Sequence, residues 1–110
     1  MEHKDDIVGS AVPNIDVPTE RIEAFCRKWK IKELSLFGSV LRDDFGPDSD
    51  VDVLVEFEPD PPWGLYEIVD MQDELTEMFA HEVHIAMKPG LKNPFRRHEI
   101  LRSRRVVYAA

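Results

Sequence analysis

Two aspartates one residue apart, Asp50 and Asp52, open a valine-rich run, Val53-Leu54-Val55-Glu56-Phe57. On an extended chain, side chains two apart share a face, which puts these carboxylates roughly 6.6 Å apart. Like charges so close repel unless a cation lies between them. Hard oxygen donors suit Mg²⁺ or Mn²⁺, ions that usually also hold phosphates. Upstream, a short apolar run (Leu34, Leu36, Phe37) stops at Gly38-Ser39, and a ten-residue spacer from Val40 to Ser49 separates that pair from Asp50. A glycine there lets a phosphate come close to the backbone, the amides of the following turn point at it, and the Ser39 hydroxyl can donate one more hydrogen bond. Each half is commonplace alone: most glycine-serine turns bind nothing, and most Asp-x-Asp pairs are strand-end acids in water. Together they describe a cradle for a triphosphate and its metal ions, suited to in-line displacement at phosphorus.

The surrounding elements must hold the two halves together. Thr19 is placed as the N-cap of a helix with Glu20 and Glu23 in its first turn, and Ile22, Phe25, Cys26 and Trp29 recur on one face. Leu34 to Phe37 form the first strand, Ser39 to about Asp44 a short helix, and Val53 to Phe57 the second strand. In that strand Val51, Val53, Val55 and Phe57 face a helical layer, while Asp50, Asp52, Leu54 and Glu56 face the chemistry. A second long helix follows with the stripe Leu65, Ile68, Gln72, Leu75 and Phe79, joined by Val69 and Met78. Glu82 to Met87 alternate as a third strand. Asn93 caps a last helix with Pro94 at its first position and Phe95, Ile100 and Leu101 turned inward. Val106-Val107-Tyr108 either extend that helix or pack as an extended tail. Strands alternating with helices predict an α/β (α+β) domain with a small sheet flanked by helices.

With 110 residues, the chain has room for one domain, read as residues 19–110, with residues 1–18 as a flexible lead-in broken by Pro13 and Pro18. Gly9-Ser10 in that lead-in has neither a preceding strand nor a following acid pair and is set aside as chance. A hydrophobic share of 43% with 33% charged residues is that of an ordinary globular protein rather than a disordered one. No apolar run approaches the roughly 20 residues of a membrane span, and the polar N-terminus lacks the pattern of a signal peptide. The single cysteine, Cys26, is read as a buried structural thiol, and the whole points to the cytoplasm. A net charge of −8 argues against nucleic acid as a direct partner. Charge is segregated, however: from Lys92 to Arg105 six basic residues against Glu99 alone make +5, leaving −13 for the rest. That basic segment is either a solvated helix face or a docking surface for a phosphate-bearing ligand or acidic partner.

The wording Leu36-Phe37-Gly38-Ser39 and Pro47-Asp48-Ser49-Asp50-Val51-Asp52-Val53-Leu54-Val55 resembles the signature of the nucleotidyltransferase superfamily typified by DNA polymerase β. Within it the chain is most similar to the minimal nucleotidyltransferases, and the resemblance spans about residues 20 to 108. It implies a small mixed sheet flanked by helices, ATP or another nucleoside triphosphate as substrate, and Mg²⁺ (or Mn²⁺) as cofactor. By the same resemblance Gly38 and Ser39 would hold the β- and γ-phosphates, Asp50 and Asp52 the metal ions, and a nucleoside monophosphate would pass to a hydroxyl. Many such proteins are encoded beside a helical HEPN-type partner that acts as a toxin, and some attach AMP to its tyrosine. The resemblance therefore implies an antitoxin with a HEPN-type protein partner. Homo-oligomerisation stays open.

One position departs from that pattern. Family members usually carry a third carboxylate in the third strand, where this chain reads Val83-His84-Ile85. His84 then inherits the catalytic position: neutral imidazole can accept a proton from the attacking hydroxyl but is a poor Mg²⁺ ligand. Glu56 lies roughly 13 Å along the strand from Asp52 and is too far to substitute. Glu82 shares a face with His84 and is the better substitute. The competing expectation is a non-catalytic module that neutralises its partner by forming a complex. Transfer to a small molecule such as an aminoglycoside ranks below both, because the chain is too short for a separate substrate domain.

Overall fold

The computed structural model describes residues 7–8, 12, 14–60 and 62–110. Its strands are β1 (Ile7–Val8), β2 (Ile31–Phe37), β3 (Val51–Phe57), β4 (Val83–Met87) and β5 (Arg105–Ala109). Its helices are α1 (Thr19–Lys28), α2 (Leu65–Phe79) and α3 (Pro94–Ser103). One sheet holds all five strands in the order β1-β5-β2-β3-β4. The β3–β4 pair is parallel and the others antiparallel, so the sheet is mixed, as expected.

The two faces of the sheet are covered unequally. On one, Val51, Val53 and Val55 of β3, Leu34 and Leu36 of β2 and Val83 of β4 pack with Ile22, Phe25 and Cys26 of α1 and Met71, Leu75 and Phe79 of α2. The other face carries a smaller cluster, Phe37, Leu54 and Ile100, through which α3 rests on β2 and β3. A half-buried ion pair adds a second anchor: the Arg104 guanidinium donates to Glu33 Oε2 at 3.0 and 3.1 Å, and Ser35 Oγ also reaches that carboxylate at 3.3 Å. Cys26 is fully buried and its burial pushes the thiol up, in keeping with a structural role.

Several local expectations shift. Thr19 is the first helical residue rather than the cap; Pro18 stands at the cap position, and its carbonyl accepts from Ile22 N at 2.9 Å. The short helix after β2 is a 3-10 turn confined to Gly38–Leu41. On α2, Leu65 (78% exposed) and Val69 (47%) lie outside the apolar stripe, and Met71 is buried in their place. At 100° per residue they stand roughly 80° and 120° round the helix from Leu75, whereas Met71 is only about 40° away. Gln72, at the stripe's edge, uses its Oε1 to accept from Ile85 N on β4. Asn93 caps α3 as expected, its Oδ1 accepting from Phe95 N and Arg96 N with Pro94 in the first turn. Phe95 itself is 86% exposed, not inward, because it points roughly 140° away from Ile100.

The largest difference is at the two ends. Of the two alternatives for residues 106–108 the extended one holds: they belong to β5, which lies between β1 and β2. Part of the stretch read as a flexible lead-in is packed: β1 pairs with β5, Val12 joins the core, and Asn14 Nδ2 donates to the carbonyls of Val40 and Arg42 at 2.6 and 2.8 Å. Gly9-Ser10 lies outside the described residues.

Candidate active site

Gly38 ends β2 with φ +80°, in the left-handed region that disfavours any side chain. Space forbids one as well, since a Cβ there would lie 2.6 Å from Asp52 Oδ2. Backbone and carboxylate are thus brought together because residue 38 has no side chain, and both halves of the sequence pattern meet at this point. Phe37 pairs with Asp52 in the β2–β3 ladder, which fixes that approach through the sheet itself. Ser39 sits in the 3-10 turn with its Oγ 3.2 Å from the carbonyl oxygen of Asp50, to which it donates.

Across β3 and β4 the parallel register sets Asp52 opposite His84. Immediately before it, Val51 N donates to Glu82 O at 2.8 Å, holding the Glu82 backbone against the start of β3. Asp50, Asp52, Glu82 and His84 accordingly share one face. His84 Nε2 is 3.1 Å from Asp50 Oδ2 and 3.5 Å from Glu82 Oε2, and one ligating atom from each of the three residues falls within 4.8 Å of the others. Glu82 therefore reaches the site. Asp52 lies deeper. Burial raises its carboxyl pKa and the neighbouring Asp50 adds to the rise, while His84, Arg96 and Arg42 pull it down.

A cleft of about 970 Å³ opens in front of Asp50 and Asp52, with Gly38, Ser39 and these two acids on one side and Arg96, Ile100 and Ser103 of α3 on the other. Arg42 and Arg105 line it too. The basic segment thus divides: Arg96 and Arg105 face the cleft, Arg102 pairs with Glu99 on α3, and Arg104 anchors α3 to Glu33. Arg42 was not singled out by its sequence position, and nothing beyond its place just after the glycine turn marks it. Such a cleft, acidic at its floor and lined with guanidinium groups, suits a polyphosphate carried with a divalent cation.

The chain is similar in sequence and fold to known proteins. The profile of the nucleotidyltransferase domain matches residues 19–107. The protein adenylyltransferase MntA of Thermococcus cleftensis is 33% identical over 66 residues, 60% of this chain and 65% of its own. A Methanocaldococcus jannaschii protein provisionally named a protein adenylyltransferase is 32% identical over 68 residues, 62% of this chain and 67% of its own. The aligned stretch thus spans about two thirds of each relative. A solved structure provisionally assigned as a minimal nucleotidyltransferase superposes with a TM-score of 0.63 at 29% identity, covering 77% of this chain and 84% of that one.

Proposed function

The chain belongs to the nucleotidyltransferase domain family, among its minimal members, and from that premise we propose that it transfers AMP from ATP to a protein hydroxyl. The observation that carries the reading is the close approach of the Gly38 backbone to Asp52, with Asp50 linking the cleft they line to the Asp50–Glu82–His84 group: a turn suited to phosphate meets acids suited to a cation. The donor types fit a divalent cation, held by Asp50 together with Asp52 or with Glu82 and His84. Such an ion, when bound, screens phosphate charge and makes a coordinated oxygen more nucleophilic.

The chain's own groups account for the rest. The Gly38 backbone and the Ser39 hydroxyl hold the terminal phosphates, Ser39 exchanging its bond to Asp50 O for one to a phosphate oxygen. Arg42, Arg96 and Arg105 offset the negative charge that grows on the departing pyrophosphate. A bond forms from the acceptor oxygen to the α-phosphorus, the bond to the bridging oxygen breaks, and pyrophosphate leaves. The proton of the attacking hydroxyl passes to a carboxylate oxygen of this acidic group.

The acceptor we assign is a tyrosine on a HEPN-type partner protein, whose toxicity the modification removes. Relatives named as protein adenylyltransferases support a protein acceptor. Labelled ATP with Mg²⁺ or Mn²⁺ and the product of the adjacent reading frame should label that partner, and Asp50→Ala should abolish the label. Absence of labelling with either metal overturns the reading. A second reading, neutralisation by complex formation alone, draws on His84 standing where a carboxylate is expected. Under it Asp50→Ala would still neutralise the partner. Among the described residues no helix is long and apolar enough to cross a membrane.

A further inference from the structure

The imidazole of His84 and the carboxylates of Asp50 and Glu82 stand together at the N-terminal ends of β3 and β4, next to the cleft that Asp50 lines. The geometry points to a mixed nitrogen–oxygen metal site, made of Asp50 Oδ2, Glu82 Oε2 and His84 Nε2, that selects Mn²⁺ or a heavier first-row ion such as Zn²⁺ over Mg²⁺. The inference deepens the transferase reading by naming the metal class and adding Glu82 as a ligand, and it rests on that reading only for what the site is used for.

Distances support it first. Two donors bonded to one ion at about 2.1 Å stand ~3.0 Å apart at a right angle and ~3.4 Å apart at the tetrahedral angle. His84 Nε2 lies 3.1 Å from one carboxylate oxygen and 3.5 Å from the other, the spacing of neighbouring ligands on a shared ion. The Asp50 and Glu82 donors lie within 4.8 Å of each other, so side-chain rotation alone can bring all three onto one cation.

Rigidity supports it next. Asp50 immediately precedes β3, and His84 lies within β4, where the parallel ladder pairs it with Asp52. The Glu82 backbone is held by the bond from Val51 N. His84 is itself on a strand, and Asp50 and Glu82 each stand one residue before one, so all three are more exactly placed than donors in the middle of a loop. All three side chains are about half exposed or more, so an ion has access and open positions remain for water or substrate oxygens.

Chemistry then sets the preference. Mg²⁺ gives up its water reluctantly and favours oxygen, so replacing a carboxylate by imidazole removes both a negative charge and a hard donor. Affinity for nitrogen rises from Mn²⁺ through the first row, and imidazole suits Zn²⁺ well. Glu82 restores one of the two carboxylates that the floor keeps beside the nitrogen.

The test uses the full chain with metal alone, without nucleotide or partner. Mn²⁺ titration followed by electron paramagnetic resonance should show one bound ion with ¹⁴N coupling from an imidazole, displaced by Zn²⁺ and poorly by Mg²⁺. Apparent affinity for Mn²⁺ should exceed that for Mg²⁺ by roughly tenfold or more. His84→Asp should retain a bound ion, lose the nitrogen coupling and narrow the ratio. Glu82→Gln should weaken Mn²⁺ by about tenfold or more with an unchanged melting temperature. Bound Mn²⁺ without nitrogen coupling, equal affinity for Mn²⁺ and Mg²⁺, or a Glu82→Gln variant that binds as well as the parent would each overturn the inference, the histidine and acids then being a hydrogen-bonded cluster only. Selective Mn²⁺ binding without labelling of any partner would uphold the site and defeat the transferase reading. Labelling equally supported by Mg²⁺, with no nitrogen coupling, would do the reverse.

Discussion

The two faces of β3 are made from alternate residues of one strand, yet they obey different physics. Val51, Val53 and Val55 disappear into a core shared by α1, α2 and the flanking strands. On the opposite face Leu54 is also buried, but Asp52 is held partly desolvated beside another acid, where its charge is disfavoured. The core face is supported by many interchangeable contacts, each worth little. The cleft face depends on a few groups that cannot be exchanged, and it keeps an arrangement that works against stability. Functional sites are commonly drawn from such strained or charged positions, with the packed face supplying the compensation.

Substitutions should separate the faces, and the largest effect belongs to the core. Leu75→Ala, beneath the valines, should lose about 2–5 kcal/mol in denaturant unfolding while the folded fraction binds Mn²⁺ as before. A loss of metal affinity in the folded fraction would mean that the faces are coupled. Gly38→Ala sits between them: a positive φ and a contact with Asp52 should cost about 1–3 kcal/mol, and transfer should fall as the carboxylate is displaced. Asn93→Ala should cost about 1 kcal/mol through the lost α3 cap, and should raise the KM for ATP more than it lowers kcat if Arg96 is a substrate contact. Asp52→Asn should have the smallest effect on stability, and an opposite sign. Because burial raises the folded-state pKa, the contribution of Asp52 is full below the ordinary carboxylate value and is lost as pH rises through the raised one. At neutral pH in the absence of metal, the asparagine variant should therefore melt slightly higher than the parent, and the gap should close in acid. A lower melting temperature at neutral pH would break the contrast between the faces.

Legibility follows the same division. The valine alternation of β3, the α1 stripe and the Asn93-Pro94 cap could be read because period and capping chemistry are local. Gly38, Ser39, Asp50 and Asp52 could be paired because their spacing is constrained by one hairpin-like connection. The start of the α2 stripe is not legible, since Leu65 and Val69 are as apolar as the residues that are buried and only the angle about the helix distinguishes them. Strand β5 could not be assigned from Val106-Val107-Tyr108, because its partners on β2 lie far back along the chain. The same distance hid Arg96 and Arg105: charge density marked their segment, but only the docking of α3 decides which guanidinium groups face the acids.

The position of β5 has a consequence for assembly. It is the latest of the described strands along the chain but an interior one in the sheet, between β1 and β2. The pair that joins its neighbourhood to β2, Glu33 and Arg104, is separated by 71 residues. Until the chain has passed that point, β2 carries an open edge, and α3 with its cleft-facing arginine lacks its ion-pair anchor. Contacts of such long range close slowly, because chain entropy is lost before packing rewards it. The sheet should therefore complete late and nearly at once with the cleft, so that a partly made chain presents a sticky strand edge but not a finished cleft.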